Sequence, residues 1–170
     1  MLDKTAPLSV TRRGAVFAAL LASVGMLFAM AVAAPARAAK PVPFTIEEQI
    51  DFDAGVSTFT ATEPFCPSGT FEDDVTAAAF PHSDQAQSGG FNLVIRTTYT
   101  CDDGSGTFDA LKHVFITFTE SGFTNVGPTQ ILGGTGDYAG IVGHGDNVGA
   151  TDEATGTGGG SITGFVREHP

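Results

Sequence analysis

Residues 131–145 read ILGGTGDYAGIVGHG, and this stretch decides the fold class. Glycines recur through it between β-branched and aromatic residues, which is typical of strands joined by turns. Glycines inside a strand, as in residues 140–145, let that strand bend sharply at the corner of a barrel. The stretch therefore favours a tightly coiled antiparallel barrel, and a β-sandwich is the alternative.

Residues 134–139 (GTGDYA) also have the spacing of a dinucleotide-binding loop. Such a loop works only where it opens a helix, because the helix amides meet the phosphates. More glycines and a β pattern follow here, so no helix can begin. We interpret the segment as a strand-to-strand turn.

The clearest strand precedes this stretch, at residues 91–101 (FNLVIRTTYTC). Its odd-numbered positions carry Phe, Leu, Ile, Thr, Tyr and Cys, whereas its even-numbered positions are mostly polar. Such a period of two predicts a strand with one buried face and one wet face. The same kind of pattern predicts seven or eight strands in all, at residues 44–52, 55–62, 70–80, 91–101, 107–120, 123–132, 138–148 and 160–167.

Between these strands the sequence predicts turns, a bulge or interruption at residues 127–128, and a flexible loop over the glycine-rich residues 149–159. Antiparallel strands in a chain this short must close into a barrel or pack as a sandwich to remove their edges. We therefore expect an all-β fold, a single antiparallel eight-stranded closed barrel, with a long N-terminal signal helix before it.

The N-terminal segment has the three parts of a secretory signal. Basic residues come first, an apolar run follows over residues 15–34, and Ala36-Arg37-Ala38 offers a small-x-small cleavage site. We predict a signal peptide at residues 1–38 and one barrel domain at residues 39–170, exported to the cell envelope or the medium. The apolar run is also about 20 residues long, so a retained membrane anchor is the alternative.

The export route stays open between two alternatives. Arg12 and Arg13 resemble a twin-arginine signal, which exports folded cargo. That pattern usually has a bulky apolar residue two places after the second arginine, where this chain has Ala15. General secretion fits equally well.

The mature domain is strongly acidic. The whole chain has 8 Lys and Arg against 19 Asp and Glu, for a net charge of −11. The leader holds four of the basic residues and one of the acidic ones, which leaves 4 − 18 = −14 after residue 38. Such a charge keeps an exported protein soluble and repels nucleic acid and anionic membranes. We therefore expect no nucleic-acid partner and, after cleavage, no stable membrane span.

Both cysteines, Cys66 and Cys101, lie in the predicted mature domain. An exported chain meets an oxidising compartment, so we predict an intramolecular disulfide between them. It would close a loop of about 35 residues and contribute roughly 3 to 4 kcal/mol in the chain-entropy account. A catalytic thiol is the alternative, but no activating His or Lys stands near either cysteine in the sequence.

Motifs for catalysis, metals and cofactors are missing from the sequence. Residues 102–105 (DDGS) lack the alternating acidic ligands of a calcium loop, and we interpret them as a turn. His82, His113, His144 and His169 share no metal-ligand spacing. We assign no catalytic, cofactor-binding or metal-binding residue. By strand parity alone, Tyr99 and His113 are the weak candidates for a barrel cavity, and Glu47 and Arg96 complete a wider set of polar candidates.

Residues 131–145 resemble the GGTGxYAGxxGxG hairpin of the allene oxide cyclase-like and dirigent-like barrel superfamily. Exported bacterial members also look similar at residues 65–69 (FCPSG) and 100–108 (TCDDGSGTF). The resemblance extends in order over residues 55–166 and implies an eight-stranded barrel with a central cavity and no cofactor. In it, a set of glycines forms the turn and bends while a tyrosine anchors the hairpin: Gly133, Gly134, Gly136, Gly140, Gly143, Gly145 and Tyr138.

Three functions are compatible with this resemblance. Plant members of the superfamily bind small hydrophobic or phenolic compounds and steer their cyclisation or coupling. Their catalytic residues do not map onto this chain, and fold alone does not fix an activity. We expect a binding module for a small apolar ligand or an interaction module of the cell envelope, with self-association open. A cofactor-independent cyclase or isomerase is the alternative.

Overall fold

A computed structural model of the chain describes residues 40–79 and 90–168. Eight antiparallel strands follow one another around a closed barrel, and the last strand pairs with the first. The strands are β1 (Val42–Asp51), β2 (Val56–Ala61), β3 (Ser68–Ala79), β4 (Gly90–Cys101), β5 (Thr107–Thr119), β6 (Gly122–Gly134), β7 (Ile141–Asp152) and β8 (Thr157–Glu168). The prediction of a closed eight-stranded antiparallel barrel is confirmed. The predicted signal helix lies outside the described residues.

The barrel alternates inward and outward side chains, as the period of two requires. On β4, Thr97, Tyr99 and Cys101 are buried, whereas Arg96 and Thr100 are exposed. On β5, the buried positions are Phe108, Ala110, Lys112, Val114 and Ile116. Among the described residues, no helix is long and apolar enough to cross a membrane.

The prediction of a flexible loop over residues 149–159 is wrong. β7 continues to Asp152 and β8 begins at Thr157, so only residues 153–156 form the turn between them. Gly149, Gly158 and Gly159 belong to paired strands, where they allow a close approach of the backbones, and Gly156 lies in the turn. A Cβ on Gly159 would lie 2.7 Å from the carbonyl oxygen of Glu48 on β1, closer than real Cβ atoms come.

Residues 131–145 form the predicted connection, but its details differ. β6 ends at Gly134, a 3₁₀ turn spans Gly136–Tyr138, and β7 begins at Ile141 rather than at Tyr138. Tyr138 is buried and its hydroxyl lies 2.9 Å from Ser105 Oγ. It therefore fastens the turn to the neighbouring β4–β5 connection.

Irregular pairing shapes the wall of the barrel, and the ladders shift register between Val75 and Ala77 and between Asp109 and Ala110. At residues 127–128, β6 stays paired with β7, while the ladder to β5 lacks pairs there and keeps its register on either side. β2 is short and pairs with β3 only over residues 58–60 and 68–70. The rest of β3, from Phe71 onward, therefore has no ladder partner on its β2 side among the described residues.

Candidate functional site

One end of the barrel interior is filled by aromatic side chains. Tyr99 stacks on Phe108 with ring centroids 4.5 Å apart, and Phe65 stacks on Phe108 at 4.3 Å. The disulfide between Cys66 and Cys101 lies next to this cluster, which confirms the predicted pairing. We call this region the aromatic end; its rings are Phe44, Phe59, Phe65, Phe71, Tyr99, Phe108 and Tyr138.

The other end of the barrel contains a cavity of about 210 Å³. It lies toward the turns at residues 52–55, 120–121 and 153–156, and every strand except β2 contributes to its wall. Apolar side chains form most of that wall: Ile50, Phe52, Leu93, Ile95, Val114, Ile116 and Phe123. Eight-stranded barrels have room for a small ligand when their own side chains do not fill them, as here.

Charged side chains lie at the inner limit of this cavity. Lys112 Nζ is 2.5 Å from Glu48 Oε1, and these two side chains are only 4% and 7% exposed. Asp73 Oδ1 lies 3.8 Å from the same ammonium. All three residues line the cavity, and we call them the ionic floor.

Side chains of the aromatic end contact the ionic floor directly. The Tyr99 hydroxyl donates a hydrogen bond to Glu48 Oε1, the same oxygen that Lys112 contacts. Lys112 Nζ also lies 5.5 Å from the ring centroid of Phe71 and 5.8 Å from that of Tyr99, within the range of cation–π attraction. Buried charges need such partners, since desolvation otherwise outweighs their attraction.

Asp73 is the accessible member of the ionic floor. Its side chain is 33% exposed, and Thr97 donates a 2.5 Å hydrogen bond to its Oδ1. The exposure arises where β3 runs past the end of β2 and loses its ladder partner. Asp73 therefore lies on the part of β3 that no longer pairs with β2, and it lines the cavity.

Neutral polar groups complete the site. Asn147 donates a 2.5 Å hydrogen bond to Asn125 Oδ1, and both residues line the cavity. Thr129, paired with Lys112 across β5 and β6, is buried, and its hydroxyl is the one enclosed side-chain polar atom without a partner among the described residues. The site thus combines apolar walls with a charged and hydrogen-bonding base.

Tyr99 keeps its proton in this environment. Burial, together with the neighbouring Glu48 carboxylate, raises the pKa of the Tyr99 hydroxyl well above its ordinary value. The phenol therefore stays protonated, and donates a hydrogen bond to Glu48, wherever an ordinary tyrosine is also neutral.

We expect Tyr99 to ionise late in an alkaline titration. A solvated tyrosine loses its proton near pH 10, so the unfolded chain loses this proton first. Because the folded state binds the proton more tightly, Tyr99 stabilises the fold below about pH 10, and this contribution is lost as pH rises toward the folded pKa. Tyrosinate absorbance of the native protein and of Tyr99→Phe checks this, since the chain has two tyrosines. Equal ionisation curves, once scaled for the missing tyrosine, would contradict it.

The candidates from the sequence lie in different places. Tyr99 is inside the barrel but belongs to the aromatic end, beneath Glu48, and does not line the cavity. His113, Glu47 and Arg96 are exposed on the outer face. The idea that His113 faces the interior is therefore corrected: Lys112 points inward, so its neighbour on β5 points outward.

Three residues that make the site were not among the candidates predicted from the sequence. Glu48, Asp73 and Lys112 come from β1, β3 and β5 and meet only through closure of the barrel. A signal for Lys112 existed, since it shares strand parity with four apolar residues that all point inward. A lone lysine on an otherwise apolar face indicates a buried partner of opposite charge.

The motif at residues 102–105, which resembles part of a calcium loop, has a structural role. Residues 102–106 form the turn after the disulfide, where Asp103 Oδ1 accepts hydrogen bonds from the amide and hydroxyl of Ser105. These hydrogen bonds lower the pKa of the Asp103 carboxyl. Within residues 40–79 and 90–168, no three His, Cys, Asp or Glu side chains are grouped so that they could hold a metal ion.

Comparison with known proteins gives no relative. No protein-family model, curated protein or solved structure matches this chain. The resemblance to the allene oxide cyclase-like superfamily therefore stays a prediction, and the function has to be argued from the cavity.

Proposed function

We propose that this protein is an exported carrier or receptor that binds a small, mostly apolar compound inside its barrel. One observation supports this above all: a cavity of about 210 Å³ with apolar walls ends in a buried ionic floor. Ligand sites are typically apolar clefts with a few polar groups that fix orientation. The acidic charge and the disulfide suit a protein that works outside the cytoplasm.

The size of the cavity limits the ligand. A volume of about 210 Å³ corresponds to roughly seven water molecules at about 30 Å³ each. A compound with about 7 to 10 non-hydrogen atoms, such as a single ring with a short side chain, fits this space. Larger compounds would have to project beyond this cavity.

We expect Ile95→Trp to weaken binding of the probe 2-phenylethanol at least tenfold. Ile95 lines the cavity, and an indole there would fill the space that the ligand needs. The matched control is Val126→Trp, which adds the same ring on the outer face at a side chain that is 53% exposed. Ligand-observed NMR and calorimetry on the purified protein measure both variants.

Two results would reject the proposal. One is the absence of any binding of 2-phenylethanol and its charged analogues to the unmodified protein. The other is an equal loss of affinity in the Ile95 and Val126 variants, because binding would then not occur in the cavity. Circular dichroism shows whether the Ile95 variant keeps its β structure.

Catalysis of a cyclisation or isomerisation is the second candidate, favoured by a carboxylate and an ammonium that both line the cavity, Glu48 and Lys112. It has less support, because these two groups already neutralise each other at 2.5 Å and Tyr99 does not reach the cavity. Catalysis requires chemical change of a bound compound, which mass spectrometry of the recovered compound detects. A binding protein returns it unaltered.

A further inference from the structure

The ionic floor carries unequal charges. Two carboxylates, Glu48 and Asp73, face a single ammonium, Lys112. Lys112 is the cation among the residues that line the cavity. The base of the cavity therefore has a net negative charge, which a bound cation would balance.

Acceptor oxygens are also in excess. Tyr99 and Lys112 both contact Glu48 Oε1, so Oε2 of this carboxylate has no hydrogen bond among the described residues. Asp73 Oδ1 accepts a hydrogen bond from Thr97 and pairs with Lys112. Asp73 Oδ2 therefore also has no hydrogen bond among the described residues. Asn147 donates through Nδ2, so its Oδ1 is available as an acceptor. Three oxygens around the cavity can thus receive hydrogen bonds from a ligand.

The surroundings of Asp73 carry charge of the same sign. Asp73 is the inward member of the run Glu72-Asp73-Asp74, whose other two side chains are exposed on the outer face of β3. The whole domain is acidic as well. A field of one sign around a cleft concentrates ligands of the opposite sign.

We infer that the ligand of this cavity is a small organic ammonium ion, a primary amine on a compact apolar body. This inference rests on the proposed binding function and adds the charge of the ligand. The ammonium group donates to the free oxygens of Glu48 and Asp73, so that positive and negative charges alternate at the base. The apolar body packs between Ile95, Val114 and Ile116 on the cavity wall.

The alternatives fit less well for a physical reason. A carboxylate ligand would bring a third negative charge to one ammonium, and repulsion from Glu48 and Asp73 would oppose it. A neutral alcohol could donate one hydrogen bond but would leave the charges unequal. Charge-assisted hydrogen bonds are about twice as strong as neutral ones, so an amine should outcompete an alcohol of equal shape.

The test is a set of three probes of nearly equal size: 2-phenylethylamine, 2-phenylethanol and phenylacetate. Calorimetry at neutral pH and fixed ionic strength measures the Kd of each with the unmodified protein. We expect the amine to bind at least tenfold more tightly than the alcohol, and the carboxylate to bind more weakly than both. Alcohol binding as tight as that of the amine would overturn the inference while leaving the proposed binding function intact. Failure of all three probes to bind would overturn both.

A pair of variants tests whether the preference for the amine arises at the ionic floor. Asp73→Asn removes one carboxylate charge from the cavity with little change in shape, and the preference for amine over alcohol should fall at least fivefold. Asp74→Asn removes the same charge from the adjacent residue, which is exposed on the outer face, and should change the preference less than twofold. Equal effects of the two variants would mean that only the general field of the domain selects the amine, which would overturn recognition at the ionic floor.

Discussion

Replacement of Lys112 by methionine is expected to lower the free energy of unfolding by about 3 to 5 kcal/mol, the usual cost of removing one partner from a buried ion pair. Methionine has a similar length and leaves the cavity volume almost unchanged. Glu48, whose side chain is 7% exposed, would remain with the Tyr99 hydroxyl as its one hydrogen-bond donor. The loss is therefore electrostatic, and urea denaturation measures it directly.

Two further variants test whether the loss of stability comes from the unpaired buried charge. The double variant Glu48→Gln/Lys112→Met removes both charges and keeps an oxygen for Tyr99, so most of the stability should return. Arg96→Met makes the same change of charge in the exposed pair with Asp109, whose arginine is 52% exposed, and should cost less than about 1 kcal/mol. A Lys112 variant no less stable than the Arg96 variant would show that the ionic floor is solvated rather than buried.

Much of the fold could be predicted from local patterns in the sequence. Alternation in residues 91–101 gives the inward face of β4, because a strand has a strict period of two. Glycines in residues 140–145 indicate the bent strands of a barrel, and β7 contains two of them, Gly143 and Gly145. Glycine also explains the main difference, because residues 149–159 have the composition of a loop but lie mostly in β7 and β8. Glycine permits both a turn and a close strand pair, and only the partner strand decides between them.

The same local patterns could not predict the candidate site. Glu48 and Lys112 are 64 residues apart in the sequence and on strands that are not neighbours in the barrel. Their contact depends on how the sheet closes, a property of all eight strands together. His113 was assigned the wrong parity: the apolar residues of β5 stand at even-numbered positions, which directs Lys112 inward and His113 outward.

Removal of the disulfide is the second large effect that we expect. Cys66 and Cys101 are separated by 35 residues, and a loop of this size stabilises a fold by about 3 to 4 kcal/mol through the entropy of the unfolded chain. The double variant Cys66→Ala/Cys101→Ala avoids a free thiol, and urea denaturation of it should agree with that of the native protein in reductant. A loss below about 1 kcal/mol would show that the unfolded chain is already restricted in this region.

The structure gives a reason to expect the upper part of that range. β2 and β3 share a ladder of only three residue pairs, and backbone hydrogen bonds from Ala61 N to Pro67 O and from Thr62 N to Thr45 O hold the segment between them, residues 62–67. This segment carries Phe65, which stacks on Phe108 and closes the aromatic end. The disulfide ties it to β4 as well. Because the cavity lies at the other end of the barrel, loss of the disulfide should lower stability while the folded protein retains its affinity for the amine probe. Ile95→Trp should do the reverse, because it fills the cavity without removing the disulfide: affinity for the amine probe should fall while the free energy of unfolding stays nearly unchanged.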